Sequence, residues 1–144
     1  MTTRSRKMEF DKIVYLESER PGSGVRLTVD FGIGEITARS ASGGGIMWRR
    51  LAGDCVAVIR MKTAACHFET WDDEYIGTAE DGPCWSLELI RCGCSVKLVN
   101  GRAAVPERWP AFASLVDLCF SLAEFRAKGQ SMLFPPAETC AAFC

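Results

Sequence analysis

Alternating apolar and polar positions mark three β-strands in the first part of the chain. Residues 25–31 place an apolar side chain at every second position, which is the period of a strand with one buried face. A strand is also predicted over 10–19 and another over 35–40, with glycine-containing turns at 21–24 and 32–34. Three short strands joined by tight turns predict an antiparallel meander.

The second half of the chain predicts a β-hairpin followed by a helix. Two alternating strands, 84–92 and 94–100, flank Gly93, and the Asn-Gly pair at 100–101 predicts the next turn. Residues 110–126 carry a broad apolar stripe at helical spacing and begin with proline. We expect this helix to pack antiparallel on the last strand, which would return the chain to the level of the hairpin tip.

The middle of the chain predicts a further helix between two irregular segments. Asp54 is expected to cap a helix over residues 55–66. A strand is the alternative for 55–66 because valine and isoleucine favour strands, whereas the alanines favour the helix. The glycine-rich segment 41–51 and the acidic segment 68–82 are predicted to be loops.

Length and composition fit one globular domain. The chain has 144 residues, of which 48% are hydrophobic and 24% charged. The pattern predicts an α+β domain over 9–144, with an antiparallel sheet of about five strands packed against two helices, and a flexible basic arm over 1–8. No apolar run reaches the roughly 18 residues of a membrane helix. Because the N-terminus also lacks the apolar core of a secretory signal, we expect a cytosolic protein without membrane contact.

Eight cysteines are unusual for a chain of this size, and their expected compartment decides how they are interpreted. In the cytosol, metal ligands or buried thiols are favoured over disulfides. The eight residues are Cys55, Cys66, Cys84, Cys92, Cys94, Cys119, Cys140 and Cys144.

Two cysteine pairs predict a structural zinc site. Cys92 and Cys94 flank the hairpin tip, and Cys140 and Cys144 lie in the tail that follows the last helix. If that helix returns to the level of the tip, four thiolates can bind one tetrahedral Zn²⁺ and staple the tail to the sheet. Unligated thiols and disulfides between the same residues remain alternatives. Substitution of one ligand by His67, the only histidine, is a further option, as is participation of Cys66 or Cys84.

Charge is segregated along the chain. Residues 1–62 contain 11 Lys/Arg and 7 Asp/Glu, whereas residues 63–90 contain seven acids and no Lys or Arg. A block of one sign produces a local field that attracts a basic partner. The acids are Glu69, Asp72, Asp73, Glu74, Glu80, Asp81 and Glu88.

The acidic block contains the residues expected to bind a partner. Large aromatic side chains beside charges dominate the energetics of many interfaces, and Trp71 and Tyr75 bracket three acids. The alternative for Trp71 is that it anchors the loop in the core. The predicted partner surface is Trp71, Asp72, Asp73, Glu74, Tyr75, Glu80 and Asp81.

The residues expected of an enzyme are sparse. A Cys–His nucleophile would have to use Cys66 and His67, which are adjacent in sequence and would point apart on a helix. The glycine-rich segments lack the lysine and Ser/Thr of a phosphate loop. We therefore expect a non-enzymatic binding protein. The alternative is a zinc-containing nucleic-acid or regulatory module that would use Arg4, Arg6, Lys7, Arg49 and Arg50.

A resemblance makes the binding hypothesis more specific. The run from Trp85 to Leu89, the hairpin, Gly101 and the segment 106–109 ahead of a helix resemble small uncharacterised domains of gut Firmicutes and their mobile elements. The resemblance covers roughly residues 69–125 and implies a sheet packed on helices. Those domains usually have Asp-Gly residues at the hairpin tip, so Cys-Gly-Cys favours an added metal here. In size, acidic surface and zinc, the chain resembles anti-CRISPR inhibitors of Cas9, which implies a basic partner such as that nuclease.

Overall fold

Seven strands form a single sheet, and two α-helices pack on one of its faces. The computed structural model describes residues 9–18, 24–40, 46–78 and 84–123, and the fold is given for these. The strands are β1 (Lys12–Ser18), β2 (Val25–Asp30), β3 (Glu35–Ser40), β4 (Ile46–Arg50), β5 (Glu74–Ile76), β6 (Cys84–Arg91) and β7 (Cys94–Arg102). The helices are α1 (Gly53–Cys66) and α2 (Trp109–Leu122), and Phe68–Thr70 forms one 3₁₀ turn.

The strand order is β4-β3-β2-β1-β6-β7-β5. Every neighbouring pair is antiparallel except β5 with β7, which is parallel. The predicted α+β class with two helices is confirmed, and the strands expected from alternation correspond to β1, β2, β3, β6 and β7. The expectation of about five strands is wrong, because β4 and β5 add one strand at each edge of the sheet. The proposed arm 1–8 and tail 124–144 lie outside the described residues.

The two additional strands are short edge strands without a hydrophobic period. All five residues of β4 are exposed, and β5 has only three residues. An edge strand is held by backbone pairing with one neighbour, so its sequence does not need to alternate. The segments that contain them were therefore expected to be loops. The segment around β4 is rich in glycine, and the segment around β5 is rich in acidic residues.

The predicted Asn-Gly turn at 100–101 is wrong, because β7 continues through both residues to Arg102. Gly101 lies directly opposite Trp85 of β6 and beside Tyr75 of β5. A Cβ on Gly101 would overlap the indole ring of Trp85. The glycine at this position provides space for an aromatic ring on the neighbouring strand, not the backbone freedom of a turn.

Helix α1 is confirmed over nearly the predicted range, but its start differs. The N-cap residue is Ala52, which provides no side-chain cap. Asp54 lies in the first turn, and its Oδ1 accepts a hydrogen bond from the Cys55 amide at 3.0 Å. Its charge therefore faces the positive end of the helix dipole without capping the helix. The helix buries Ile59, Thr63 and Cys66 against the core.

Helix α2 crosses the sheet and does not stack on the last strand as expected. It begins over β6, where the Trp109 and Trp85 ring centroids are 4.8 Å apart. It ends beside β4, where Arg49 Nη1 donates to the Leu122 carbonyl at 2.9 Å. Because α1 begins directly after β4, the two helices run in opposite directions across the same face. Among the described residues, the core between sheet and helices buries seven aromatic side chains: Tyr15, Phe31, Phe68, Trp71, Trp85, Trp109 and Phe112.

The opposite side of the sheet is called the open face here, because no described element covers it. Strand alternation assigns each residue to one of the two faces. In β2, for example, Val25, Leu27 and Val29 are buried beneath the helices, whereas Arg26 and Thr28 project to the open face.

Candidate functional site

The hairpin tip contains two exposed thiols on a strained turn. Arg91 pairs with Cys94, so Cys92 and Gly93 form a two-residue turn with φ of 51° and 80°. Turns of this type require positive φ at both positions, which Asn-Gly accepts at little cost. A cysteine with positive φ is strained by roughly 1–2 kcal/mol. The Cys92 amide donates to Asp11 Oδ2 at 3.0 Å, which ties the tip to the chain before β1.

The structure brings together only the first half of the predicted zinc site. Cys92 and Cys94 are both exposed at the tip, whereas Cys140 and Cys144 lie outside the described residues. Among described residues, no group of three or more His, Cys, Asp or Glu side chains is arranged to hold a metal. Cys84 is at the other end of β6, roughly 25 Å of strand from the tip. It therefore cannot complete a site at Cys92.

Cys66 is a thiol of the hydrophobic core. Its side chain is fully buried, and its Sγ donates to the Lys62 carbonyl at 3.4 Å. Burial raises the pKa of the Cys66 thiol to about 12, although nearby Lys62 opposes the shift. His67 is exposed, and its Nδ1 lies 3.2 Å from Glu69 Oε1. The two residues therefore do not form the dyad that a cysteine hydrolase would require.

Trp71 anchors the acidic segment in the core, as the alternative for this residue proposed. It is only 4% exposed, and its indole N–H donates to the Cys66 carbonyl at 3.0 Å. Its ring meets those of Phe68 and Phe112 edge-on, with centroids 5.0 and 5.5 Å away. Trp71 therefore fixes the position of the loop and leaves the predicted contact surface to its neighbours.

Three carboxylates project from the anchored segment. Asp72, Asp73 and Glu74 are exposed, and none forms an ion pair with a described basic residue. We call these three residues the acidic edge. Asp72 and Asp73 directly precede β5, and Glu74 is its first residue. Two further acids of the predicted surface, Glu80 and Asp81, lie outside the described residues.

Three hydrogen bonds fix the backbone of residues 71–73 in and beside the acidic edge. The Asp72 amide donates to the Tyr75 hydroxyl at 2.8 Å, and the Asn100 amide donates to the Asp73 carbonyl at 2.9 Å. Lys97 Nζ donates to the Trp71 carbonyl at 2.6 Å. Tyr75 is half-buried and stacks on Trp85, with ring centroids 6.1 Å apart. The three carboxylates therefore have a fixed backbone while their side chains face solvent.

The arginines of the alternative nucleic-acid module do not form one surface. Arg49 donates to the end of α2 on the helix-covered face. Arg50 projects to the other face, with Nη2 3.8 Å from Glu35 Oε2. Glu35 also accepts a hydrogen bond from Trp48 Nε1 at 2.8 Å. Residues Arg4, Arg6 and Lys7 of the same alternative lie outside the described residues.

One buried acid was not identified from the sequence. Glu17 is 5% exposed, and its Oε2 accepts a hydrogen bond from the Tyr15 hydroxyl at 2.8 Å. Its Oε1 is buried and has no hydrogen-bond partner among the residues that the structure describes. Burial raises the pKa of Glu17 to about 7, although the Tyr15 hydrogen bond opposes the shift. Glu17 follows Ile13 and Tyr15 at every second position of β1, and this alternation was the signal for its burial. Its charge suggested a position in solvent instead.

No protein-family model and no curated protein sequence matches this chain. No described helix combines the length and the apolarity needed to cross a membrane.

Proposed function

We propose that this chain is a non-catalytic binding protein that docks the acidic edge onto a basic surface of a larger protein. The observation that supports this proposal is the combination of exposed charge with a fixed backbone. Asp72, Asp73 and Glu74 have no described basic partner, although Trp71 and Tyr75 hold the segment in place. Because the loop is already ordered, binding would lose little conformational entropy.

The charge of the acidic edge would act mainly on recognition and on association rate. Three carboxylates in adjacent positions create a negative field that steers a positive surface toward the edge. Exposed charges are screened over about 8 Å at physiological ionic strength. Binding through this surface should therefore weaken as salt increases.

The specific partner we propose is a phage-defence nuclease such as Cas9. That enzyme holds its nucleic acids in positively charged channels, which an acidic protein can occupy or flank. This identification rests on the resemblance described above, and we propose with it a location in the bacterial cytosol. The acidic edge provides the chemical complement, and the protein itself would need no catalytic residue.

Charge reversal at the acidic edge is expected to reduce binding without unfolding the protein. The variant is Asp72→Lys/Asp73→Lys, and isothermal titration against a purified Cas9–guide complex measures affinity. Loss of two attractive charges and gain of two repulsive ones should weaken binding about tenfold or more. Circular dichroism should be unchanged because both side chains are exposed.

The matched control carries the same charge change elsewhere. Asp117 on α2 and Glu107 before it are exposed and distant in sequence from the edge. Glu107→Lys/Asp117→Lys should keep most of the affinity. Unchanged affinity in the edge variant, or an equal loss in both variants, would contradict the proposal. A gel shift of DNA by the protein alone would instead favour the nucleic-acid alternative.

We also propose that Cys92, Cys94, Cys140 and Cys144 bind one structural Zn²⁺. Two exposed cysteines beside a glycine, one of them with an unfavourable φ, are difficult to explain as turn residues alone. The tail can reach them. Cys140 follows Ala123 by 17 residues, which span up to roughly 55 Å, whereas the end of α2 is roughly 20–25 Å of sheet width from the tip.

Metal content tests the zinc proposal directly. Elemental analysis of protein purified without added metal should find about one zinc per chain. Cys92→Ser/Cys94→Ser and Cys140→Ser/Cys144→Ser should each lose it, because removal of two thiolates leaves too few ligands. Cys84→Ser removes an exposed thiol far from the tip and should retain it. Native protein without zinc, or with zinc that survives either double substitution, would refute the site.

A further inference from the structure

The strand register aligns one residue from every strand into a row across the open face. Arg39 of β3 is directly opposite Arg26 of β2, and Arg26 is directly opposite Leu16 of β1. The row continues through Ser86 and Asn100 on β6 and β7. It ends at the two edge strands, so that its full order is Ile46, Arg39, Arg26, Leu16, Ser86, Asn100 and Glu74.

The arginine pair in this row is an unfavourable arrangement for the fold alone. Side chains directly opposite one another on antiparallel strands have Cβ atoms about 4.5–5.5 Å apart, and like charges there are destabilising. Neither Arg26 nor Arg39 has an ion-pair partner among the described residues. Cations on the neighbouring strands do have acidic partners, since Lys12 Nζ of β1 lies 3.7 Å from Asp30 Oδ2 and Arg50 Nη2 of β4 lies 3.8 Å from Glu35 Oε2.

The arginine pair lies on the wall of a groove. The groove has a volume of about 680 Å³, which is within the range of small-molecule sites. Leu16 provides an apolar side chain in the middle of the row, and Ser86 and Asn100 provide a hydroxyl and an amide on the far side. One wall can therefore receive negative charge, while the rest can contact an apolar body and hydrogen-bond its polar groups.

We propose that this groove binds a small phosphomonoester, with the phosphate held by both guanidinium groups. Each guanidinium presents a planar fork of N–H donors that matches phosphate oxygens, and two forks match the charge of a dianion. Bound phosphate would also remove the repulsion between Arg26 and Arg39. This site is on the open face of the sheet, and its argument does not depend on the proposed function.

The surroundings favour a small ligand over a nucleic-acid strand. Glu88 lies in the next row, and Glu74 ends the row that contains the arginines. Asp30 and Glu35 lie toward the opposite end of β2 and β3. A polyanion that extended across the sheet from the arginines would meet these carboxylates, whereas a single phosphate group need not.

Isothermal titration with phenyl phosphate, at low salt, tests this site. The native protein should bind one equivalent, and Arg26→Gln and Arg39→Gln should each weaken binding at least tenfold. Arg108→Gln removes an exposed arginine outside the groove and should leave binding unchanged. Both groove variants should be at least as stable as the native protein without ligand, because each relieves the like-charge contact.

The outcomes separate the proposal from its competitors. No saturable binding of phenyl phosphate would overturn it, as would equal loss in Arg108→Gln. Tighter binding of a single-stranded DNA oligomer, abolished by the same two substitutions, would assign the groove to nucleic acid and overturn the small-ligand form. Marked destabilisation of Arg26→Gln and Arg39→Gln without ligand would show that the pair is structural and would also overturn the proposal.

Discussion

Gly101→Ala is expected to destabilise the protein by about 3 kcal/mol, because the added methyl group cannot be accommodated while Trp85 stays in place. The indole ring lies over Gly101, and its Nε1 donates to the Ala104 carbonyl at 2.9 Å. The ring also packs against Trp109 and stacks with Tyr75. Displacing it would therefore disturb the core and the anchoring of the acidic edge together.

Urea unfolding measures this effect, and two controls identify its origin. Gly53→Ala makes the same chemical change at the start of α1, where an added Cβ meets nothing within 4 Å. It should be neutral or stabilising by up to roughly 1 kcal/mol, because alanine favours the helix. In a Trp85→Leu background, Gly101→Ala should cost much less than in the native protein, since the two changes share one contact. An equal cost in both backgrounds would argue against the ring overlap.

The strands predicted correctly are those whose sequence shows an alternation of apolar and polar residues. In β2, burial of Val25, Leu27 and Val29 follows from alternation alone. The edge strands β4 and β5 have no such signal, because backbone pairing with β3 and β7 creates them. The Asn-Gly error has the same origin. The glycine is required by Trp85, 16 positions earlier in the sequence, and the pairing that brings them together is not local.

The candidate sites also combine features that the sequence predicts with features that only the fold shows. The charges of Asp72, Asp73 and Glu74 could be identified from the sequence, and the structure shows all three exposed. The role of Trp71 could not be identified from the sequence, since an aromatic residue in an acidic segment can point to the core or to solvent. The opposition of Arg26 and Arg39 depends on the register between β2 and β3. Alternation places both on one face, but only the register makes them neighbours.

The stability of the protein is expected to fall as the pH rises from about 4.5 to about 7, because Glu17 must ionise inside the fold. Burial raises the pKa of Glu17 from 4.5 to about 7, and the Tyr15 hydrogen bond only partly opposes this. In the unfolded chain the carboxyl loses its proton near 4.5, whereas the folded protein retains it until about 7. The contribution of Glu17 to stability is therefore constant below about 4.5 and decreases as the pH rises through this window. It levels off above 7, after a total loss of about 3 kcal/mol.

Glu17→Gln isolates this effect, because glutamine has a similar shape and does not ionise. The variant should unfold at similar urea concentrations to the native protein near pH 5 and at higher concentrations near pH 8. Glu88→Gln is the matched control. Glu88 projects from the open face of the same sheet, so its removal should leave the native pH dependence in place. Glu17 is the buried acid whose Oε1 has no partner among the described residues. A native protein that is equally stable at both pH values would contradict this prediction. It would mean that the ionised Glu17 carboxylate is stabilised inside the fold, for example by water that enters the core.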